Sequence, residues 1–265
     1  MKTTVGIIGT GNLGSALCRG LLGSSAASEI LLFDRDEERA RVLVEEDERA
    51  RLADGIPALV AGSDFVFIAV KPQDLAPVLS EVSGVVGEKT AVISSVAGVT
   101  LQRLRVGLGS KPVLFRMMPN LAVALGEGVV ALAAEGSARR ESVAAVQELL
   151  SGLGSVAFVS EEQFNAVTAV AASGPGLLAL VLEALEDGGV SAGLSRSVAR
   201  VFVQQMTLGT ARMLLEAGES PSQLKDRVAS PGGTTIAGLA VLEEAGVRGA
   251  LIRAVQAAEA RGREL

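Results

Sequence analysis

The sequence predicts a doubly wound parallel α/β sheet followed by an all-helical C-terminal domain. Short apolar runs rich in β-branched residues alternate with helix-like segments through the first half of the chain. A glycine-rich turn joins the first of these runs to the first helix. After Ser160 the segments are rich in Ala and Leu with helical spacing, and we identify no further strand pattern. We therefore predict two domains, at residues 1–160 and 161–265.

Composition narrows the classes of function. The net charge is −6 and no basic run stands out, so we expect no nucleic-acid partner. The chain has no histidine, which excludes a Ser-His-Asp triad and a His-ligated metal, and we expect no metal site. The single cysteine, Cys18, allows no internal disulfide. Because we also find neither a signal-peptide pattern nor an unbroken membrane-length apolar run, we expect a cytoplasmic protein without a membrane partner.

The strands of the first domain are predicted from apolar runs. Asp64–Val70 is almost continuously apolar, which is typical of a strand buried on both faces of a parallel sheet. The predicted strands are Thr3–Ile8, Glu29–Phe33, Asp64–Val70, Thr90–Ser94, Val113–Phe115, Gly128–Ala133 and Ser155–Val159. The predicted helices between them are Leu13–Leu22, Asp36–Leu52, Asp74–Glu81, Leu101–Val106 and Arg140–Leu150.

The C-terminal helices carry few charges over long stretches. We predict them at Glu161–Ala172, Leu177–Gly188, Arg196–Ala217, Pro221–Val228 and Gly238–Ala260. Helices this apolar need burial on several sides, and one small bundle supplies too little of it. The sequence therefore predicts a homodimer formed through these helices, with a larger homo-oligomer as a further option.

The glycine-rich turn matches a dinucleotide-binding fingerprint. Gly9, Gly11 and Gly14 follow a strand and open a helix, and Asp34 lies 20 positions after Gly14. In this pattern the first glycine allows a tight turn, the second lets the backbone approach a pyrophosphate, and the third lets helix pack on strand. The alternative is a glycine-rich corner that binds no ligand. The first domain is therefore predicted to be a Rossmann domain for NAD(P).

The choice between NADH and NADPH stays open at this level. Asp34 would accept hydrogen bonds from an adenosine ribose, which favours NADH. Arg35 would instead pair with a 2′-phosphate, which favours NADPH.

Two further segments follow buried strands at the edge of the sheet where ligands bind. They are Ala69-Val70-Lys71-Pro72-Gln73 and Met117-Met118-Pro119-Asn120. Both are predicted to line the nicotinamide side of the crevice. The alternative in each case is a plain turn at the end of a strand.

One stretch of the second domain predicts an anion-binding seat. It reads Ala229-Ser230-Pro231-Gly232-Gly233-Thr234-Thr235 and lies between two helices. The glycines let the chain approach a ligand closely, and the threonines open a helix whose first N–H groups favour an anion. The alternative is an ordinary helix–turn–helix with a Thr cap.

These segments together resemble one family, the pyrroline-5-carboxylate reductases. The resemblance runs from Val5 to about Glu259 and is most specific at Ser230–Thr235. It also rests on Ala69–Gln73, Met118-Pro119-Asn120, Ala172-Ser173-Gly174-Pro175 and Leu224-Lys225-Asp226. The family reduces a cyclic imine acid, a small molecule, to L-proline with NADPH or NADH, the last step of proline biosynthesis. The resemblance implies a Rossmann domain followed by an all-α C-terminal dimerisation domain.

The resemblance also implies roles for individual residues. Ser230 and the amides from Gly233 to Thr235 would hold the substrate carboxylate, and the catalytic Thr235 would reach the ring nitrogen. The substrate-binding residues are then Ser230, Gly232, Gly233, Thr234 and Thr235. The predicted dinucleotide-binding residues are Gly9, Thr10, Gly11, Asn12, Leu13, Gly14, Asp34, Arg35, Ala69, Val70, Lys71, Pro72, Pro119 and Asn120.

The chain departs from the family pattern at two places. Gly176-Leu177 stands where Ala-Tyr is usual, and Leu121 stands where a Thr commonly follows Pro-Asn. These departures leave room for a reductase of a related cyclic imine. A 3-hydroxyacid dehydrogenase-like enzyme and a non-catalytic dinucleotide sensor also stay open as functions. The stretch Leu177–Leu185 holds none of the lysines the dehydrogenase would need, and the intact Ser230–Thr235 stretch argues against the sensor.

Overall fold

The computed structural model describes residues 3–264 of the chain and has an eight-stranded sheet within them. The strand order is β3-β2-β1-β4-β5-β6-β7-β8. The strands are β1 Thr4–Ile8, β2 Glu29–Phe33, β3 Ala50–Leu52, β4 Phe65–Ile68, β5 Ala91–Ser94, β6 Val113–Pro119, β7 Gly128–Ala134 and β8 Gly154–Phe158. The reversal of strand order between β1 and β4 is the switch point at which an open α/β sheet binds its ligands. The predicted fold class, a doubly wound sheet before a helical region, is confirmed.

The helices of the sheet domain alternate with the strands. They are α1 Asn12–Gly23, α2 Glu37–Glu46, α3 Ile56–Ala61, α4 Leu75–Ser83, α5 Leu101–Leu108, α6 Arg140–Ser151 and α7 Phe164–Val167. Short 3-10 helices lie at Pro72–Asp74, Leu121–Leu125 and Glu161–Gln163, and a π-helix lies at Thr168–Ala172. The single helix predicted over Glu161–Ala172 is therefore three consecutive helical pieces.

One strand pair departs from the parallel arrangement that the sequence predicts. β6 and β7 pair antiparallel, with Phe115 opposite Ala134 and Pro119 opposite Val130. Only residues 120–127 connect them, which is too short for the crossover that a parallel pair requires. This pairing also extends β6 to Pro119, beyond the predicted end at Phe115. Met117 and Met118 therefore belong to a buried strand, and the loop that follows begins at Asn120.

The predicted helix Asp36–Leu52 is wrong in its second half. The helix α2 ends at Glu46, and Ala50–Leu52 forms β3 beside β2. Asp47 has an extended backbone and its carboxylate accepts hydrogen bonds from the backbone and side chain of Arg49. These bonds lower the pKa of Asp47 to about 2. A side chain that binds backbone groups two residues ahead competes with helix formation, so the chain turns here.

Both faces of the sheet are covered by apolar side chains. On one face Leu17 and Leu21 of α1 pack in the same cluster as Phe67 and Phe115. This burial raises the pKa of the nearby Cys18 thiol to about 12. The other face is covered by α3, α4 and α5, with Leu59, Leu79 and Leu104 among the buried residues. A sheet buried on both faces explains why its strands lack the alternation of apolar and polar residues.

The C-terminal region is helical throughout its described length. Its helices are α8 Gly174–Ser191, α9 Arg196–Ala217, α10 Pro221–Val228, α11 Thr234–Glu244 and α12 Val247–Arg263. The single helix predicted over Gly238–Ala260 is wrong, because Gly246 adopts a φ of +69° between α11 and α12. A positive φ ends a right-handed helix and is tolerated best by glycine.

Contacts divide the chain into two compact units. The first is Met1–Ser173 with Ala258–Leu265, and the second is Gly174–Ala257. Residues 161–173 belong to the first unit, although the sequence predicts that the second domain begins at 161. The domain boundary near Ser160 stays a prediction.

The helical region exposes many apolar side chains. By length and composition alone the run Glu161–Ser191 is long and apolar enough to cross a membrane. Exposed side chains on α8, α9, α11 and α12 include Leu178, Leu180, Val201, Phe202, Met206, Leu215, Val241, Leu242 and Ile252. An apolar surface of this extent indicates that another chain or surface covers it.

Candidate functional site

The turn after β1 requires glycine at two positions and is open to solvent at a third. Gly9 adopts a φ of +96°, and a Cβ on Gly14 would lie 1.8 Å from the carbonyl oxygen of Gly9. Glycine is therefore required at both positions, for conformation and for the close packing of α1. By contrast, a Cβ on Gly11 would meet no atom of the described residues within 4 Å. Gly11 thus faces open space at the start of α1.

The start of α1 is available to an anion. Gly11 is the N-cap residue, and within the described chain no side chain caps the helix. The predicted residues Asn12 and Leu13 form its first positions. Unpaired N–H groups and the helix dipole favour a phosphate at such an end.

Asp34 is directed at the glycine turn. Its Oδ2 accepts hydrogen bonds from the backbone nitrogen of Thr10 at 2.6 Å and from the Thr10 hydroxyl at 3.2 Å. Its Oδ1 accepts a third bond from the backbone nitrogen of Asp36 at 3.0 Å. The Thr10 carbonyl in turn accepts a bond from the hydroxyl of Ser15 in α1 at 2.7 Å. These bonds hold the turn between β1 and α1 in place.

Arg35 is one of the residues that line the neighbouring cleft. The cleft has a volume of about 220 Å³. Its charged lining residues are Asp34, Arg35, Arg39, Lys71, Asp74 and Glu81, and the others are Ile8, Gly9, Gly11, Phe33, Ile56, Ala69, Val70, Pro77 and Val78. The Arg35 guanidinium lies 2.9 Å from the carboxylate of Asp74. The structure therefore brings Gly9, Gly11, Asp34, Arg35 and Ala69–Lys71 together around one cavity.

The remaining predicted dinucleotide residues lie outside the cleft lining. Pro72 begins the 3-10 helix that leads to α4. Pro119 ends β6, and the side-chain oxygen of Asn120 accepts a bond from the backbone nitrogen of Val129 at 3.4 Å. Leu121, which follows, is 54% exposed. Their contact with a cofactor stays a prediction.

The sequence did not single out Asp74 or Glu81 as lining residues. Asp74 ends the 3-10 helix that follows Lys71, and Glu81 lies within α4. The available signal was the position of this part of the chain after the C-terminal end of a buried strand, where cleft residues of such sheets accumulate.

The predicted substrate seat forms a tight turn before α11. The Gly233 backbone nitrogen donates to the Ser230 carbonyl at 3.1 Å, and Gly232 adopts a φ of +66°. A positive φ at the third residue of a turn is what glycine permits. A Cβ on Gly233 would lie 2.3 Å from the Ser230 hydroxyl oxygen, so that hydroxyl lies directly beside the start of α11.

The seat leaves the first turn of α11 open. Gly233 is the N-cap residue, and no side chain of the described chain caps this helix. The alternative of a Thr cap is therefore wrong. Thr234 is exposed and Thr235 is half-buried. The N–H groups of a first helical turn have no partner within the helix, so Thr234 and Thr235 offer amides and hydroxyls to an anion.

Comparison with known proteins gives matches over both parts of the chain. A family model described as pyrroline-5-carboxylate reductase dimerisation matches residues 161–265. A second model, described as NADP oxidoreductase coenzyme F420-dependent, matches residues 4–98.

The curated relatives share the name that the resemblance implied. The pyrroline-5-carboxylate reductase of Synechocystis sp. is 39% identical, over 100% of this chain and 99% of the relative. The reductase of the same name from Corynebacterium melassecola is 36% identical, over 99% of this chain and 98% of the relative.

Solved structures agree with the sequence relatives. A pyrroline-5-carboxylate reductase from Coxiella burnetii matches with a TM-score of 0.90 and 30% identity, over 100% of this chain and 98% of its own. A pyrroline carboxylate reductase from Plasmodium falciparum with NADP bound matches with a TM-score of 0.88 and 25% identity, over 99% of this chain and 97% of its own. The chain belongs to the pyrroline-5-carboxylate reductase family.

Proposed function

We propose that this protein reduces the cyclic imine 1-pyrroline-5-carboxylate to L-proline, using NADPH or NADH, as the last step of proline biosynthesis. The observation that carries the proposal is the 39% identity to a reductase of that name along the full length of both chains. Two features support the proposal: the cleft beside the Gly9–Gly14 turn, which we propose as the dinucleotide site, and the open first turn of α11 after Ser230–Gly233, which we propose as the substrate site.

The chemistry makes few demands on side chains. Residues around the cleft, among them Gly9, Gly11 and Arg35, would hold the dinucleotide, which would supply the hydride for the imine carbon. The ring nitrogen of the substrate already carries the proton that it keeps in the product, so a protonated imine and a hydride give a neutral amine. The protein need not donate a proton, and its contribution is positioning and electrostatics. This suits a chain without histidine or tyrosine.

We assign the substrate carboxylate to the open end of α11. The turn already uses the Gly233 N–H, which donates to the Ser230 carbonyl. We therefore assign the carboxylate to the amides of Thr234 and Thr235 together with the Ser230 hydroxyl, while Gly232 and Gly233 shape the turn. The Thr235 hydroxyl is left to contact the ring nitrogen and to hold the imine carbon at a fixed angle.

We propose that the protein accepts NADPH in preference to NADH. The Asp34 carboxylate is held by Thr10 and Asp36, which reduces its capacity to bind a ribose. The Arg35 side chain is 78% exposed at the cleft, where it can meet a 2′-phosphate.

We propose that the active form is a homodimer, or a larger homo-oligomer, assembled through the C-terminal helices. The support is the exposed apolar surface of α8 and α9 and the dimerisation family that residues 161–265 match. A second copy would cover the apolar run Glu161–Ser191 without a membrane. We place the protein in the cytoplasm, because its single cysteine allows no internal disulfide. Its net charge of −6 argues against a nucleic-acid partner, and the proposed substrate is a small molecule.

Turnover assays test the proposal directly. We expect purified protein to oxidise NADPH in the presence of 1-pyrroline-5-carboxylate and to release proline. A six-membered cyclic imine acid tests the related substrate, because Leu121 is exposed and Gly176-Leu177 departs from the family pattern. Turnover of a 3-hydroxy acid instead of either imine would contradict the proposal. Dinucleotide binding without turnover of any of these compounds would favour a sensor.

A further inference from the structure

An ion pair crosses the cleft beside the glycine turn. The Arg35 Nη2 lies 2.9 Å from Oδ1 of Asp74, and both side chains line the cleft. The Arg35 side chain is 78% exposed, whereas that of Asp74 is 25% exposed. The cation is therefore the more exposed member of the pair, and Asp74 is the N-cap residue of α4.

Among the other charged groups of the cleft, Asp34 and Arg39 make contacts of their own, whereas no ion pair is recorded for Lys71 within residues 3–264. Asp34 accepts bonds from Thr10, and Arg39 pairs with Asp36 at 3.0 Å. Glu81 lines the same cleft about two helical turns beyond Asp74, and the structure records no ion pair for it within residues 3–264. Arg35 and Lys71 are thus the cations that the cleft offers to a phosphate, and Asp74 is the carboxylate that pairs with Arg35.

A 2′-phosphate and Asp74 compete for the same guanidinium. Exposed ion pairs are weak, so a phosphate with two or three charge-assisted contacts can displace the carboxylate. The displaced carboxylate stays nearby because α4 fixes its backbone, and two anions a few ångströms apart repel each other. A dinucleotide without the 2′-phosphate leaves the Arg35–Asp74 pair intact. It therefore neither breaks an ion pair nor brings a second anion close to Asp74.

We propose that Asp74 is a specificity-determining residue that lowers the preference of the enzyme for the phosphorylated dinucleotide by holding Arg35. The proposal rests on the proposed function, because it requires that the cleft bind the adenosine half of NAD(P).

Calorimetric titration with NADP⁺ and NAD⁺ tests the proposal without relying on catalysis. In Asp74→Asn we expect the affinity for NADP⁺ to rise about three- to tenfold, while that for NAD⁺ changes by less than about twofold. The gain should shrink as salt is raised, because the Arg35 side chain is exposed. An unchanged ratio of the two affinities, or a shift toward NAD⁺, would overturn the proposal.

Two further variants isolate the contact. Glu81→Gln removes a carboxylate from the same cleft without freeing Arg35, and we expect a smaller change in the affinity ratio than in Asp74→Asn. In an Arg35→Gln background, Asp74→Asn should raise NADP⁺ affinity by a smaller factor than in the parent protein. An equal factor in both backgrounds would overturn the competition for Arg35.

The fold of each variant is checked by thermal melting. Asp74 makes no side-chain capping bond to α4 within the described chain, so Asp74→Asn should melt like the parent protein. If the parent protein bound neither dinucleotide, the proposed function and this inference would both fail. If it bound both and Asp74→Asn left the ratio unchanged, the inference alone would fail.

Discussion

The Asp34 carboxylate lies 2.6 Å from the backbone nitrogen of Thr10, so a side chain at the end of β2 holds the turn that follows β1. The Thr10 hydroxyl adds a second bond to the same carboxylate oxygen. Thr10 itself is buried, at 2% exposure. Asp34 is therefore part of the support of the glycine turn as well as a lining residue of the cleft.

This contact predicts that Asp34→Ala weakens both dinucleotides. Loss of the two bonds to Thr10 should loosen the turn, lowering affinity for NAD⁺ and NADP⁺ about tenfold each. Hydrogen bonds to a charged group are worth ~1.5–3 kcal/mol, so the melting temperature should also fall by several degrees. Calorimetry and thermal melting measure the two effects. A loss confined to NAD⁺ would show that Asp34 reads the ribose instead.

We expect Gly11→Val to abolish dinucleotide binding while leaving the fold intact. Gly11 has a φ of −64°, which any residue adopts, and a Cβ there would meet open space. The added side chain would occupy the approach path of a pyrophosphate. Gly14→Ala is the matched contrast, since its Cβ would collide with the Gly9 carbonyl and lower the melting temperature. Unchanged dinucleotide affinity in Gly11→Val would show that the glycine turn is not the binding site.

Thr235→Ala should lower kcat/KM roughly ten- to a hundredfold, the scale of one polar contact worth about 1.4 to 2.7 kcal/mol. Because Gly233 rather than a threonine caps α11, we expect little change in melting temperature. Affinity for the dinucleotide should also stay nearly constant. Thr235→Ser keeps the hydroxyl and should recover most of the activity. Normal turnover in Thr235→Ala would remove the hydroxyl from the mechanism.

Phe202→Glu should disrupt the proposed dimer. Phe202 is 62% exposed on α9 among other exposed apolar side chains. If a second copy covers this surface, the substitution would bury an unpaired charge in the interface, which is costly. Sedimentation at micromolar concentration should show the parent protein as a dimer or larger, and the variant as a smaller or aggregating species. Val106→Glu is the control, because Val106 is 83% exposed on α5 of the sheet domain and its replacement should leave assembly unchanged. A folded, monomeric parent protein would contradict the proposed assembly.

Glu161→Ala should destabilise the sheet domain by ~2–4 kcal/mol. Arg116 is 4% exposed on β6, and its Nη1 lies 3.3 Å from the Glu161 carboxylate. The guanidinium also lies 4.2 Å from the centre of the Phe164 ring. The same Glu161 oxygen accepts a hydrogen bond from the backbone nitrogen of Leu101 at 2.9 Å. Glu161→Ala therefore removes both the ion pair with Arg116 and this hydrogen bond.

Burial lowers the pKa of Arg116, and its Nε has no hydrogen-bond partner among the described residues. Without Glu161 the buried cation would lose its counter-ion, which is the source of the expected cost. Thermal melting at fixed protein concentration measures it. The control Glu162→Ala, at an exposed position one residue on, should change stability by less than ~0.5 kcal/mol. Equal melting temperatures for the two variants would show that the pair does not stabilise the fold.

The sequence by itself determined the features that depend on neighbouring residues. The spacing of Gly9, Gly11 and Gly14 predicts the strand–turn–helix unit, because each glycine acts through its own backbone. Continuous apolar runs predict strands buried on both faces, and helical spacing after Ser160 predicts the helical region. The turn before α11 was predictable for the same reason. Pro231 fixes its own φ angle, and Gly232 and Gly233 allow backbone conformations that other residues rarely adopt.

Only the tertiary structure decided the contacts between distant residues. Asp34 meets Thr10, 24 positions earlier, because β1 and β2 are neighbours in the sheet. Arg35 meets Asp74 because the segment after β4 lies across the cleft from the end of β2. The short strand β3 and the antiparallel pairing of β6 with β7 likewise depend on which neighbour completes the hydrogen bonds of each strand. Local propensity does not contain that information, since the same residues form a helix, a strand or a turn according to the partners the fold brings to them.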